Sequence, residues 1–276
     1  MRDSIQSPLS GKTVFVSRAA EQAEELCRHL KARGAHPISY PMIHFGPPAD
    51  FGPLDEALRN LDQFDWILLT SQIAVEFVSR RAISIGIAKI QLASSGRVAV
   101  VGPATATAAA RAGFRVDYVT RKNEGGGFLE ELAQELKGKR IFLPRSNLAL
   151  KAVVENLEQN GSEVTAIVAY RNLPPSPEEQ RQIQAIQWGI VEAALFFSPS
   201  AVQHFVDAVG ILQVKRHHAH IVFVAVGPTT AQALRDLLGF QHVVQATSPS
   251  TEGVLQSLEN YLQKRDNFSS MSQDPK

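Results

Sequence analysis

Val98-Ala99-Val100-Val101-Gly102-Pro103-Ala104-Thr105-Ala106 returns later in the chain as Phe223-Val224-Ala225-Val226-Gly227-Pro228-Thr229-Thr230-Ala231, with Gly102 and Gly227 lying 125 residues apart. Each copy is a short apolar run that breaks at Gly-Pro and continues into small and hydroxylated residues, the pattern of a strand buried on both faces that turns into a helix. Two more pairs flank it in the same order. Gly11-Lys12-Thr13-Val14-Phe15-Val16-Ser17-Arg18 returns as Gly138-Lys139-Arg140-Ile141-Phe142-Leu143-Pro144-Arg145, with Arg18 and Arg145 127 residues apart. Trp66-Ile67-Leu68-Leu69-Thr70-Ser71 returns as Ala193-Ala194-Leu195-Phe196-Phe197-Ser198, with Ser71 and Ser198 again 127 apart. Three ordered matches at nearly one spacing mark an internal duplication.

Each copy alternates short apolar runs with amphipathic stretches, which predicts α/β units built on parallel sheets. In the first copy the strands are expected at 13–17, 37–40, 66–70, 97–101 and 115–119. Between them, 21–33 carries Ala23, Leu26, Cys27 and Leu30 at helical spacing and stops at Gly34. The second copy repeats this with a helix over 150–160 ended by Gly161. A further helix is expected over 128–136. The segment 266–276 is polar and without periodicity, and is expected to fray.

The 276 residues, 44% of them apolar, are enough for two ordinary domains. Lys and Arg number 28 against 27 Asp and Glu, so no overall field draws the chain to nucleic acid or to an anionic membrane. A single cysteine, Cys27, excludes an intrachain disulfide and fits a reducing compartment. No apolar stretch approaches a membrane span and the first ten residues lack a signal-peptide core, so a cytoplasmic protein is expected.

Several strand ends carry small hydroxylated residues just before a helix, where free backbone N–H groups and the helix dipole favour an anion. They are Ser17, Ser71, Thr105, Ser146, Ser198, Ser200 and Thr230. Ligands of open α/β sheets bind beyond the carboxyl ends of the strands, so these residues are expected to line one mouth per domain. Two such mouths set face to face would form a cleft.

The order of strand, Ser17-Arg18, helix, Gly34, a strand ending near Tyr40-Pro41, then Ser71, Gly102-Pro103-Ala104-Thr105, Gly227-Pro228-Thr229-Thr230 and the segment Thr247-Ser248-Pro249-Ser250-Thr251-Glu252-Gly253-Val254-Leu255 resembles the uroporphyrinogen-III synthase family. The resemblance covers the chain from about Gly11 to Leu262. It implies two flavodoxin-like domains with exchanged halves, joined by a two-stranded linker: residues 1–42 with 172–276 in one domain and 43–171 in the other. The repeat alone suggests instead two contiguous domains cut near Gly138. The resemblance also implies a cofactor-free lyase acting on a small-molecule substrate, hydroxymethylbilane, a chain of four pyrroles each bearing an acetate and a propionate; a monomer is expected because the duplication already supplies within one chain the halves that a dimer would otherwise provide.

Tyr170 matches the family tyrosine and is the expected catalytic proton donor to the departing hydroxyl; the competing role is a packed tyrosine donating to a carbonyl. Substrate-binding roles fall to Arg18, Ser71, Thr105, Arg145, Ser198, Ser200, Thr229 and Thr230. For the threonines and serines the alternative is helix N-capping, which can coexist with binding. For Arg18 and Arg145 it is a structural salt bridge. Lys122 is a further loop cation.

His217, His218 and His220 lack a spaced Cys, Asp or Glu that would complete a metal site, and read as a solvated loop. Gly125-Gly126-Gly127 is not followed by Lys-Ser or Lys-Thr and does not read as a phosphate loop. Two rival functions remain at this point: a non-enzymatic two-domain protein that closes on a small anion, and a nucleotide-dependent transferase, which the missing phosphate loop opposes.

Overall fold

The structure is a computed structural model and describes residues 7–18, 20–88, 96–121, 127–149, 151–217, 219–240 and 242–271. The strands are β1 Thr13–Val16, β2 His36–Ser39, β3 His44–Gly46, β4 Trp66–Leu69, β5 Arg97–Val101, β6 Val116–Thr120, β7 Arg140–Ser146, β8 Glu163–Leu173, β9 Val191–Phe196, β10 Val222–Ala225 and β11 Val244–Gln245. The helices are α1 Ala20–Ala32, α2 Gly52–Arg59, α3 Gln72–Ser84, α4 Gly102–Ala112, α5 Gly127–Leu136, α6 Lys151–Gln159, α7 Pro177–Gln184, α8 Pro199–Val209, α9 Ile211–His217, α10 Pro228–Leu238 and α11 Thr251–Met271. None of the described helices is long and apolar enough to cross a membrane.

Two compact units result, one made of Met1–His44 with Leu173–Lys276 and the other of Phe45–Asn172. In the first, five strands run in the order β11-β10-β9-β1-β2, every neighbouring pair parallel. In the second, six strands run β3-β8-β7-β4-β5-β6. The duplication equates β1 with β7, β2 with β8, β4 with β9, β5 with β10 and β6 with β11. Both sheets therefore share one order, the 2-1-3-4-5 arrangement of flavodoxin-like folds. The two sequence copies do not fold separately: β1 and β2 of the first copy join β9, β10 and β11 of the second, and β7 and β8 join β4, β5 and β6. The contiguous cut near Gly138, which the repeat alone suggests, is not the one the chain uses. β3 is hydrogen-bonded to β8 at the edge of the second sheet, so the two segments where the chain passes between the units, around 44–46 and 169–173, lie on paired strands.

Strand periodicity sorts the core. Val14 and Val16 face one apolar layer, with Leu26, Leu30 and Leu255, while Phe15 between them faces the other, with Trp188, Phe205 and Phe223. In the second unit Ile67 and Leu69 meet α2, α3 and α4, and Trp66 and Leu68 meet α5 and α6. Both sheets are thus covered on both faces, which is why the central strands β1, β4, β5, β9 and β10 are predominantly apolar.

α11 continues to Met271, so 266–271 is helical rather than frayed. Nothing between Thr251 and Met271 stops it: Gly253 sits in the first turn, no proline follows, and extending a formed helix adds one backbone bond per residue fixed. Residues 272–276, Lys122, Gly125, Gly126 and His218 lie outside the described residues.

Candidate functional site

In each parallel sheet the strand order reverses at one seam, between β1 and β9 in the first unit and between β7 and β4 in the second. At such a seam the connections leave in opposite directions and open a crevice at the carboxyl ends. Equivalent residues sit beside both seams: Arg18 and Ser198 in the first, Arg145 and Ser71 in the second.

Ser71 and Ser198 are N-caps with nearly the same backbone, φ −158° and ψ 157° against φ −161° and ψ 157°. Ser71 Oγ accepts from the Ala74 N–H at 3.1 Å, and Ser198 Oγ from the Ala201 N–H at 3.2 Å. Capping uses one lone pair and leaves each hydroxyl a second interaction. For Ser71 that is the Tyr170 phenol oxygen at 3.3 Å; for Ser198 it is Ser200 Oγ at 3.3 Å.

Tyr170 is only 8% exposed. Its ring stacks on Phe77, centroids 5.6 Å apart, and takes Phe45 edge-on at 5.9 Å. Its phenol meets a serine hydroxyl rather than the carbonyl of the packed alternative. On the neighbouring strand β7, Arg145 Nη1 donates to the Ala149 carbonyl at 3.1 Å, while its Nε is buried with no protein partner. A buried guanidinium N–H left unmatched is costly, and a carboxylate would satisfy it.

In the first unit the Arg18 guanidinium lies 4.7 Å from the centre of the Phe197 ring. Burial pushes it below its ordinary pKa against the attraction of Glu25. Thr105 and Thr230 take equivalent places in the first turns of α4 and α10 and are nearly inaccessible, at 5% and 1%, whereas Thr229 is exposed. None of the three is an N-cap: the caps are Val101 and Gly227, and neither helix has a side-chain cap. The two Gly-Pro turns also differ, since Gly102 takes φ +71° and needs glycine, while Gly227 is extended.

Ser17 does not line a mouth. It is 2% exposed and its hydroxyl donates to the Leu195 carbonyl at 2.7 Å, fastening β1 to β9. The His217 and His220 rings meet at 5.5 Å, and His220 Nε2 lies 3.2 Å from the Trp188 carbonyl. No group of three or more His, Cys, Asp or Glu side chains among the described residues could hold a metal ion.

Sequence reading missed the setting of Tyr170: Phe45, Phe77 and Asn147. Phe77 was open to discovery, lying six residues after Ser71 on the helix that Ser71 caps.

The family model described as Uroporphyrinogen-III synthase HemD matches residues 24–256. Uroporphyrinogen-III synthase of Synechococcus elongatus is 28% identical over 266 residues, spanning 94% of this chain and 98% of its own. A putative uroporphyrinogen-III synthase of Methanothermobacter thermautotrophicus is 30% identical over 245 residues, 85% of this chain and 91% of its own. Among solved structures, a mutant uroporphyrinogen III synthase of the extremely thermophilic bacterium Thermus thermophilus shares the fold with a TM-score of 0.69 at 22% identity, covering 92% of this chain and all of that one. The uroporphyrinogen-III synthetase of Helicobacter pylori does so with a TM-score of 0.60 at 18% identity, covering 92% and 99%. A family match over residues 24–256, with a relative 30% identical over 85% of this chain, makes the chain a member of the uroporphyrinogen-III synthase family.

Proposed function

We propose that this chain closes hydroxymethylbilane to uroporphyrinogen III, with Tyr170 as proton donor and the strand ends of the two units as anion sites. The observation that carries the reading is the Tyr170 phenol, walled by two aromatic rings and 3.3 Å from the N-cap serine beside the sheet's reversal seam. Family membership displaces the rival of a non-enzymatic anion binder.

The phenol gives its proton to the terminal hydroxyl as the carbon–oxygen bond breaks, and water departs. The azafulvene that remains is attacked by the substituted carbon of the last pyrrole, and the spiro intermediate rearranges to the inverted ring. Closure releases a proton, which restores the phenol. With Ser71 donating to the phenol oxygen, the phenol hydrogen is left for the substrate, and the serine stabilises the phenolate that forms. Arg145, with its unmatched Nε, and Arg18 bind substrate carboxylates. Ser198, Ser200 and Thr229 add hydroxyl donors and the first helical turns that carry Thr105 and Thr230 add backbone amides, each such bond to a charged group contributing about 1.5–3 kcal/mol. A near-neutral chain can hold a polyanion in this way. No step calls for a cofactor. The reading includes a monomer in the cytoplasm, because the duplication supplies within one chain two sets of anion sites.

Tyr170→Phe tests it. With freshly made hydroxymethylbilane and chromatographic separation of the isomers, formation of the type III product is expected to fall about a hundredfold or more, on the scale of a lost general acid, with the fold intact by circular dichroism. Near-normal type III synthesis removes Tyr170 from the role.

A further inference from the structure

β8 carries one residue more than β7 can match. Arg145 pairs with Val168 and Ser146 with Tyr170, so Ala169 is the extra residue of a bulge. Neighbours along an unbroken strand face opposite sides. Here Ile167, Ala169 and Tyr170 all enter the apolar layer built on α3, while Val164 and Ala166 pack in the opposite layer. The bulge swings Tyr170 onto the α3 side, and so brings the phenol to Ser71.

β7 ends at Ser146, and the rest of β8 loses it as a ladder partner. Asn147 takes over. Its backbone N–H donates to the Tyr170 carbonyl at 3.2 Å. Its side-chain Oδ1 accepts the Asn172 N–H at 2.7 Å, and its Nδ2 donates to the Asn172 carbonyl at 3.5 Å. The amide side chain thus adds one more rung, holding the strand just beyond Tyr170, at Asn172. Asn147 is exposed, so its side chain fills no core. A short, directional bond from a surface residue to a bulged strand end, with a longer one beside it, controls where that end sits more than how tightly the unit packs.

We propose that Asn147 is a positioning residue for Tyr170: it fixes the bulged end of β8 so that the phenol stands against Ser71. Its effect on turnover rests on the reading of Tyr170 as proton donor; its effect on the phenol does not.

The test uses the full chain labelled with ¹³C at tyrosine Cζ. There are four tyrosines, and the Tyr170 signal is the one lost in Tyr170→Phe. Asn147→Ala is expected to move that signal and to lower kcat roughly tenfold, as a displaced catalytic group does, with KM within about twofold. Asn147→Asp keeps the acceptor for the Asn172 N–H and is expected to recover both. In a Tyr170→Phe background, Asn147→Ala is expected to cost nothing further. An unmoved Tyr170 signal in Asn147→Ala, or an Asp variant as impaired as the Ala variant, overturns the proposal. A signal that moves in Ala and returns in Asp while turnover never changes upholds the positioning role and takes the proton-donor role from Tyr170.

Discussion

Ser71 and Ser198 hold the same backbone conformation at equivalent helix starts, yet their hydroxyls meet different partners, a phenol in one unit and a second serine in the other. Paired substitutions separate capping from function. Ser71→Ala and Ser198→Ala are each expected to lose about 1 kcal/mol through the N-cap, read as similar drops in melting temperature. Only Ser71→Ala also lowers kcat, because only it loses the bond to Tyr170, whereas Ser198→Ala raises KM. At Arg145 the fork geometry matters as much as the charge. Arg145→Lys keeps the charge but removes the unmatched Nε–H, and is expected to raise KM about tenfold in the isomer assay, the scale of one hydrogen bond to a carboxylate. A lysine variant with unchanged KM takes the carboxylate from this site.

Among the elements, α2 and α3 are fastened by one ion pair. Arg81 Nε and Nη2 each donate to an Asp55 carboxylate oxygen at 2.6 Å, and the guanidinium lies 4.0 Å from the centre of the Phe51 ring. The hydrogen bonds from Arg81 hold the Asp55 carboxyl below its ordinary pKa, against burial, with further help from the charges of Arg81 and Arg59. A depressed carboxyl contributes stability that is complete above the unfolded pKa and disappears as pH falls through the folded one. Asp55→Asn is therefore expected to melt below the parent at neutral pH. The gap should close as pH drops below the ordinary carboxylate range; one that stays constant with pH excludes the ion pair as its source. The strands were legible in the sequence because apolar runs such as Trp66-Ile67-Leu68-Leu69 return at a fixed spacing. The bulge at Ala169 was not: it arises from the register between β7 and β8, and Ile167-Val168-Ala169-Tyr170 reads as an ordinary alternating strand. The persistence of α11 to Met271 was equally hidden, since a polar run without a breaker takes its structure from the helix before it.

Over the whole molecule, the duplication explains both what could be read and what could not. Because β4 and β9 are copies of one strand, the sequence offers β1 two equally suitable partners, and no local signal chooses between them. The resemblance to a family, rather than the repeat, supplied the exchange of halves. The two units differ in how they are encoded, since Phe45–Asn172 is one continuous stretch and Met1–His44 must be completed by Leu173–Lys276. A fragment of residues 45–172 is accordingly expected to unfold cooperatively by itself, with α/β circular dichroism, while fragment 1–44 stays unfolded until 173–276 is added. A 45–172 fragment without a cooperative transition counts against its independence.

The bond from the Ser17 hydroxyl to the Leu195 carbonyl joins residues 178 apart in the chain. On a ribosome adding roughly 5–20 residues each second, the apolar run Val14-Phe15-Val16 emerges about 9 to 36 seconds before β9 exists to receive it. Through that interval the middle of the chain can complete its own sheet while the leading strand has no mate, which makes the first forty residues the natural target for a holding chaperone during synthesis.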